Sequence, residues 1–153
     1  MSRLRTGSRR RRGKHRVAYF VGCSANLLYP EIGEAVVGLM NHFGVEVVIP
    51  KDQMCCGTPI FNASDFEGGA YLAKRNLRIF SELDVDAIIT ACGSCGLALK
   101  QEWRNLLGMD VPEAFSAKIL DFTEFLQSIG ATGFTHHESR ITYHDSCHLA
   151  RGM

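Results

Sequence analysis

Short runs of β-branched and aromatic residues alternate with longer amphipathic stretches along most of this chain. The runs cover residues 17–21, 45–49, 87–90 and 141–144, and the stretches between them carry apolar residues at helical spacing. Strands joined through helices run parallel, because a right-handed crossover returns the chain to the same end of the sheet. The alternation therefore predicts an α/β fold, with a mainly parallel, Rossmann-like sheet and helices on both faces, in three layers.

The predicted helices occupy four stretches, and local signals mark their ends. A helix over residues 65–83 would be capped by Ser64, with Glu67 completing a capping box. The other three cover residues 31–43, the stretch from the Cys92–Cys95 turn to about residue 107, and residues 115–129, and each is followed directly by a glycine. No Gly-, Ser- or Pro-rich linker divides the sequence, which predicts a single domain.

Basic residues are concentrated at the N-terminus. Residues 1–16 hold eight of the seventeen Lys and Arg residues and no acidic residue, so the net charge of +1 hides an acidic remainder. Because no aromatic or recognition-helix pattern accompanies these charges, we interpret residues 1–16 as a solvated, disordered arm that does not bind nucleic acid. The sequence has no apolar run that could span a bilayer and no secretory signal. We predict a cytoplasmic protein that reaches the membrane only through partners.

The cysteines are placed regularly with respect to the predicted strands. Each follows the end of a strand: Cys23 the first, Cys55 and Cys56 the second, Cys92 and Cys95 the third, and Cys147 the fourth. Loops that leave the carboxyl ends of parallel strands gather along one edge of the sheet, where ligands bind. We therefore expect the sulfur atoms to meet at that edge.

Several kinds of site could use these thiols. The Cys92 to Cys95 pair alone would fit a zinc half-site or a thiol–disulfide exchange pair, and a single buried cysteine is an ordinary apolar residue. Adjacent thiols at Cys55 and Cys56 seldom serve packing, and zinc takes four ligands, which would leave a fifth thiol unused. The group favours an iron–sulfur cluster, with zinc as the alternative. The predicted ligands are Cys23, Cys55, Cys56, Cys92 and Cys95.

The spacing of these cysteines resembles that of a known family. Thirty-one residues separate Cys23 from Cys55, and thirty-five separate Cys56 from Cys92. With the Cys55-Cys56-Gly57-Thr58-Pro59 loop and the segments 19–23 and 91–97, this resembles the cysteine-rich CCG domain found in heterodisulfide reductases. The same domain occurs in iron–sulfur subunits of glycolate oxidase, lactate-utilisation and anaerobic glycerol-3-phosphate dehydrogenase complexes. The similarity extends over about residues 16–153.

The resemblance implies a cofactor and a role. It implies a [4Fe–4S] cluster, of the non-cubane kind if all five cysteines are ligands as in heterodisulfide reductase, while some family members carry zinc instead. It further implies an electron-transfer subunit of a multi-subunit oxidoreductase of the glycolate or lactate type, not catalytic alone. Its partners would be a flavin-dependent dehydrogenase subunit or a ferredoxin-type iron–sulfur subunit. A zinc-stabilised interaction module without redox turnover is the alternative.

The resemblance also implies a domain division. Residues 17–139 correspond to one CCG domain, and residues 140–153 resemble the opening of a second, truncated copy. Members of the family usually contain two copies. Cys147 therefore either completes the first site or belongs to the second copy.

Overall fold

The computed structural model describes residues 15–152 of the protein. The arm predicted over residues 1–16 lies outside the described residues except for His15 and Arg16, which begin the first strand. The four strands are β1 His15–Tyr19, β2 Val45–Val48, β3 Ala87–Thr90 and β4 Ile119–Asp121. The helices are α1 Gly22–Leu27, α2 Pro30–His42, α3 Thr58–Phe61, α4 Phe66–Ser81, α5 Gly93–Leu97, α6 Trp103–Asn105, α7 Glu113–Ser116, α8 Phe122–Ser128 and α9 Cys147–Gly152, and a π-helical turn over Ala98–Glu102 joins α5 to α6. Within residues 15–152, no helix combines the length and apolarity needed to cross a bilayer.

The sheet confirms the predicted fold class. Its order is β2-β1-β3-β4 and every pairing is parallel. One core cluster includes Ala18 of β1 and Phe20, which directly follows β1, together with residues of α4 and α6. The other includes Val17 and Tyr19 of β1 with residues of α2 and α8. Because successive strand residues face opposite sides, both faces of β1 are buried, which gives three layers.

Two predicted elements near the C-terminus are wrong. The helix predicted over residues 115–129 is interrupted by β4, whose Ile119 pairs with Ile88 of β3. Pairing with an exposed strand edge outweighs the helical spacing of the apolar residues. The strand predicted over residues 141–144 does not form, and Ile141 and Tyr143 are 86% and 72% exposed. A strand needs a neighbour to satisfy its backbone, and this segment has none among the described residues.

The N-terminus of α4 also differs from the prediction. The cap is Asp65, whose side chain accepts a hydrogen bond of 2.8 Å from the Gly68 amide. Ser64, the predicted cap, instead takes a positive φ of 70° before the helix begins. The first helical turn therefore starts one residue later than the sequence pattern indicated.

The start of α8 provides a test of local stability. Asp121 is buried at the end of β4, and its carboxylate accepts a hydrogen bond of 2.9 Å from the Thr123 amide, while the Glu124 carboxylate accepts one of 2.9 Å from the Asp121 amide. Removal of such a cap costs about 1 kcal/mol. We expect Asp121→Ala to lower the free energy of unfolding by that amount in urea denaturation. The exposed Asp110→Ala is the control, and an equal loss in both variants would contradict the capping role.

Candidate metal centre

The five cysteines predicted as ligands lie at the carboxyl edge of the sheet. Cys23 is in α1, directly after β1, and Cys92 and Cys95 stand at the start of α5, directly after β3. Cys55 and Cys56 belong to the loop between β2 and α3. The strand order reverses between β1 and β3, and this switch point is where open α/β sheets bind ligands.

The five sulfur atoms form one continuous group. All five cysteines are free thiols, and the Sγ atoms of Cys55 and Cys23 lie 3.7 Å apart. The Cys56 thiol interacts electrostatically with those of Cys55 and Cys95, and the Cys95 thiol interacts with that of Cys92. The loops after the first three strands therefore place Cys23 beside Cys55, and Cys56, Cys92 and Cys95 within range of one another's charges.

These contacts pack the thiols against one another. Within residues 15–152, no three His, Cys, Asp or Glu side chains already surround a common point that fits a metal ion. Binding of a metal centre would therefore require the cysteine side chains to change their arrangement.

Interactions among the thiols shift their pKa values in opposite directions. The interactions with Cys55 and Cys95 strongly lower the pKa of Cys56, and the interaction with Cys95 lowers the pKa of Cys92 to about 6. The same contact with Cys56 raises the pKa of Cys55 and, together with the contact to Cys92, that of Cys95. These interactions favour the thiolate form of Cys56 and Cys92, and the thiolate is the form that binds metal.

Two features around the sulfurs suit a bound group. Gly22 has a φ of +75°, and a Cβ atom there would lie 3.2 Å from the Cys95 Sγ, so a larger residue would crowd the site. A pocket of about 320 Å³ opens beside Cys23 and Cys55. The thiol donor set, the pocket and the glycine together fit a soft, sulfur-ligated metal centre.

A buried hydroxyl also lies near the thiols. Tyr19 is fully buried, and its hydroxyl has no hydrogen-bond partner among the described residues. Burial, with a smaller contribution from the charges of Cys92 and Cys95, raises the pKa of Tyr19 to about 12. A buried donor without a partner is a group that a bound acceptor would satisfy.

Buried side chains hold the loop that carries the paired cysteines, and the sequence did not single them out as part of the site. The indole Nε1–H of Trp103 donates a hydrogen bond of 2.9 Å to the Cys56 carbonyl. The Asn76 amide donates one of 2.9 Å to the Cys55 carbonyl. The only sequence signal is that Asn76 is a polar residue on the apolar face of α4.

Gln53 links this loop to the end of β1. The Val21 amide donates a hydrogen bond of 2.9 Å to the Gln53 Oε1, and the Gln53 Nε2 donates one of 3.3 Å to the Tyr19 carbonyl. The backbone leading to Cys23 is thereby tied to the backbone leading to Cys55. The two loops are positioned as one unit.

Cys147 is placed differently from the other five cysteines. It is exposed and begins α9, rather than following a fourth strand as predicted. The helix α9 packs against α5, and the Oγ of Ser94 lies 2.8 Å from the Nδ1 of His148. The structure therefore brings the backbone near Cys147 against the Cys92–Cys95 turn, but leaves the Cys147 thiol exposed.

Comparison with known proteins gives consistent matches. The profile of the cysteine-rich domain family termed CCG matches residues 17–100. The chain is 40% identical over 140 residues to an uncharacterized iron–sulfur protein of Methanocaldococcus jannaschii, an alignment that covers 92% of this chain and 27% of that protein. It is 36% identical over 149 residues to a probable glycolate oxidase iron–sulfur subunit of Bacillus subtilis, covering 92% and 33%. It is 33% identical over 146 residues to lactate utilization protein A of an Exiguobacterium species, covering 88% and 58%.

The chain matches only part of the length of each relative. The chain spans from 27% to 58% of the length of these curated relatives. The matched profile covers more than half of the chain and contains every member of the group of five thiols. This chain belongs to the CCG cysteine-rich domain family.

Proposed function

We propose that this chain is the cluster-binding domain of an iron–sulfur subunit that transfers electrons within a multi-subunit oxidoreductase. The observation that carries the proposal is the continuous group of five thiols at the switch point of the sheet. The names of the relatives, an iron–sulfur protein and a glycolate oxidase iron–sulfur subunit, support the same cofactor class. When bound, an iron–sulfur cluster supplies one-electron chemistry, and the protein supplies binding, tuning and docking.

We assign the ligands to Cys23, Cys55, Cys56, Cys92 and Cys95. Interactions with neighbouring thiols lower the pKa values of Cys56 and Cys92, which favours the form that binds metal. The same interactions raise the pKa values of Cys55 and Cys95, so these two ligands would lose their protons as metal binds. Five thiolates exceed the one per iron that a cubane cluster requires, which favours a [4Fe–4S] cluster of non-cubane form.

The partners follow from the proposed role. A domain that transfers electrons needs a donor and an acceptor, and we propose a flavin-dependent dehydrogenase subunit or a ferredoxin-type subunit as its neighbours. The names of the glycolate oxidase and lactate utilization relatives support a small 2-hydroxy acid as the substrate oxidised in such an assembly. Cytoplasmic location, with contact to the membrane only through these partners, is part of the same proposal.

Metal analysis of anaerobically purified protein tests the proposal. We expect iron and acid-labile sulfide in equal amounts, at roughly four of each per chain, because that is the composition of a [4Fe–4S] cluster. We also expect brown absorption that bleaches with dithionite. A colourless protein that contains zinc and no labile sulfide would replace the proposal with the zinc-stabilised module. A metal-free protein with a reversible Cys92–Cys95 disulfide would indicate thiol exchange.

A further inference from the structure

Asn76 lies at a buried helical position, where its side-chain amide needs hydrogen-bond partners. It is in the middle of α4, a helix of 16 residues, and its side chain is fully buried. Asparagine is a weak helix former, because its side chain competes for backbone hydrogen bonds. Burial of an amide also costs free energy unless its donors and acceptor are paired. The other buried positions on this face are Gly69, Ala73 and Phe80, so Asn76 interrupts an otherwise apolar packing surface.

The hydrogen-bond partners of the Asn76 side chain all belong to the loop that carries the paired cysteines. The Met54 amide donates a hydrogen bond of 2.8 Å to the Asn76 Oδ1. The Asn76 Nδ2 donates to the Met54 carbonyl at 3.3 Å and to the Cys55 carbonyl at 2.9 Å. The loop therefore presents one donor and two acceptors. A side-chain amide matches this set, whereas a carboxylate of the same size has no proton to donate.

Two adjacent cysteines can bind one centre only if the peptide between them has a particular orientation, which explains why Asn76 binds this loop. Consecutive side chains of an extended chain point to opposite sides, so Cys55 and Cys56 reach one group of sulfurs only if the peptide between them is held in a particular orientation. The carbonyl that Asn76 binds belongs to that peptide. The next carbonyl, of Cys56, is bound by Trp103. The segment from Pro50 to Cys56 belongs to no helix or strand, so the hydrogen bonds from Asn76 and Trp103 hold its backbone in place.

We propose that Asn76 is a positioning residue for the metal ligands. It orients the Cys55–Cys56 peptide so that both thiols face the same centre, and it acts through the backbone without touching the metal. This inference rests on the proposed function, because it assigns Asn76 a role toward a centre held by Cys55 and Cys56. Loss of such an outer-shell contact typically lowers metal affinity by roughly 10- to 100-fold.

The substitution Asn76→Asp tests the role with little change in volume. One carboxylate oxygen still accepts from the Met54 amide, but the other faces two carbonyl oxygens that previously received hydrogen bonds. We expect iron retained against a competing chelator to fall by roughly 10-fold or more. We also expect the visible circular dichroism of the remaining iron-loaded protein to change, because the ligand geometry is altered.

A matched core variant separates positioning from general stability. Phe80→Leu lies on the same buried face of α4, where its ring packs 5.5 Å from that of Phe20. We expect this variant to melt at a lower temperature but to keep the wild-type spectrum and iron content. The proposal is overturned if Asn76→Asp keeps both wild-type properties, or if Phe80→Leu loses iron to the same extent. Wild-type protein that binds no iron would instead contradict the proposed function.

A second variant and a second measurement cover a failure of Asn76→Asp to fold. Asn76→Ala removes the same hydrogen bonds without adding a charge, and we expect the same loss of iron and the same change of spectrum. In the wild-type holoprotein, we expect slow hydrogen exchange at the Met54 amide, since Asn76 accepts its proton. If both variants are unfolded, rapid exchange at Met54 overturns the proposal and slow exchange supports it.

Discussion

Cys55→Ser is expected to remove most of the iron from the protein. The Cys55 sulfur lies 3.7 Å from that of Cys23 and interacts with the Cys56 thiol, so it connects Cys23 to the rest of the group. A serine hydroxyl is a hard oxygen ligand that keeps its proton at neutral pH, and it replaces thiolate poorly on iron–sulfur centres. Iron and acid-labile sulfide per chain, measured after anaerobic purification, check this expectation.

Cys147→Ser provides the matched control for that substitution. Cys147 is exposed at the start of α9, and no contact joins its thiol to those of the five predicted ligands in the described part of the chain. We expect its replacement to leave iron and sulfide at the wild-type level. Unchanged iron in Cys55→Ser would overturn the ligand assignment, and equal losses in both variants would extend the site to Cys147.

Trp103 carries the second large expected effect, on stability. Its side chain is fully buried, and its ring stacks on that of Phe115 with 6.1 Å between the ring centroids. Its indole N–H donates a hydrogen bond to the Cys56 carbonyl. Truncation of a buried tryptophan to alanine costs about 3–5 kcal/mol. Because the whole free energy of unfolding of a domain is only about 5–15 kcal/mol, Trp103→Ala should leave the fold marginal. Chemical denaturation followed by far-ultraviolet circular dichroism measures the loss.

Two milder variants separate the packing of this side chain from its hydrogen bond. Trp103→Phe keeps an aromatic ring but leaves the buried Cys56 carbonyl unpaired, at a cost of about 1–3 kcal/mol. Phe115→Leu changes the stacked neighbour and retains the indole donor. We expect both to destabilise the fold, but only Trp103→Phe to alter the spectrum of the bound centre. If neither variant alters it, the indole contact contributes only to folding.

The first half of the fold could be predicted because its signals are local and agree with one another. The apolar run beginning at Val17 is buried on both faces of β1, and the helix predicted over residues 31–43 differs from α2 by one residue at each end. The strand over residues 87–90 is correct. Apolar character, β-branching and glycine ends all indicate the same element in these segments.

The C-terminal part could not be predicted in the same way. Residues 119–121 sit inside a stretch with helical spacing, yet they form β4 because β3 offers them a free edge. Residues 141–144 have the stronger β-propensity and remain exposed, because the described part of the chain gives them no strand to pair with. β-Propensity describes how well a residue fits into a strand, but a strand forms only where a neighbouring strand is available for pairing.

By itself the sequence determined which side chains this protein offers as ligands, namely thiols, and at which edge of the sheet they lie. Thiols at Cys23, at Cys55 and Cys56, and at Cys92 and Cys95 each follow a strand, and parallel topology alone is enough to bring them to one end of the sheet. Tertiary structure alone decided how the paired cysteines are held. Asn76 and Trp103 lie 21 and 47 residues from the carbonyls that they bind, and hydrogen bonds across such distances along the chain leave no periodic signal in it. They arise because a buried backbone group must find a partner, and packing chooses which side chain is near enough to serve.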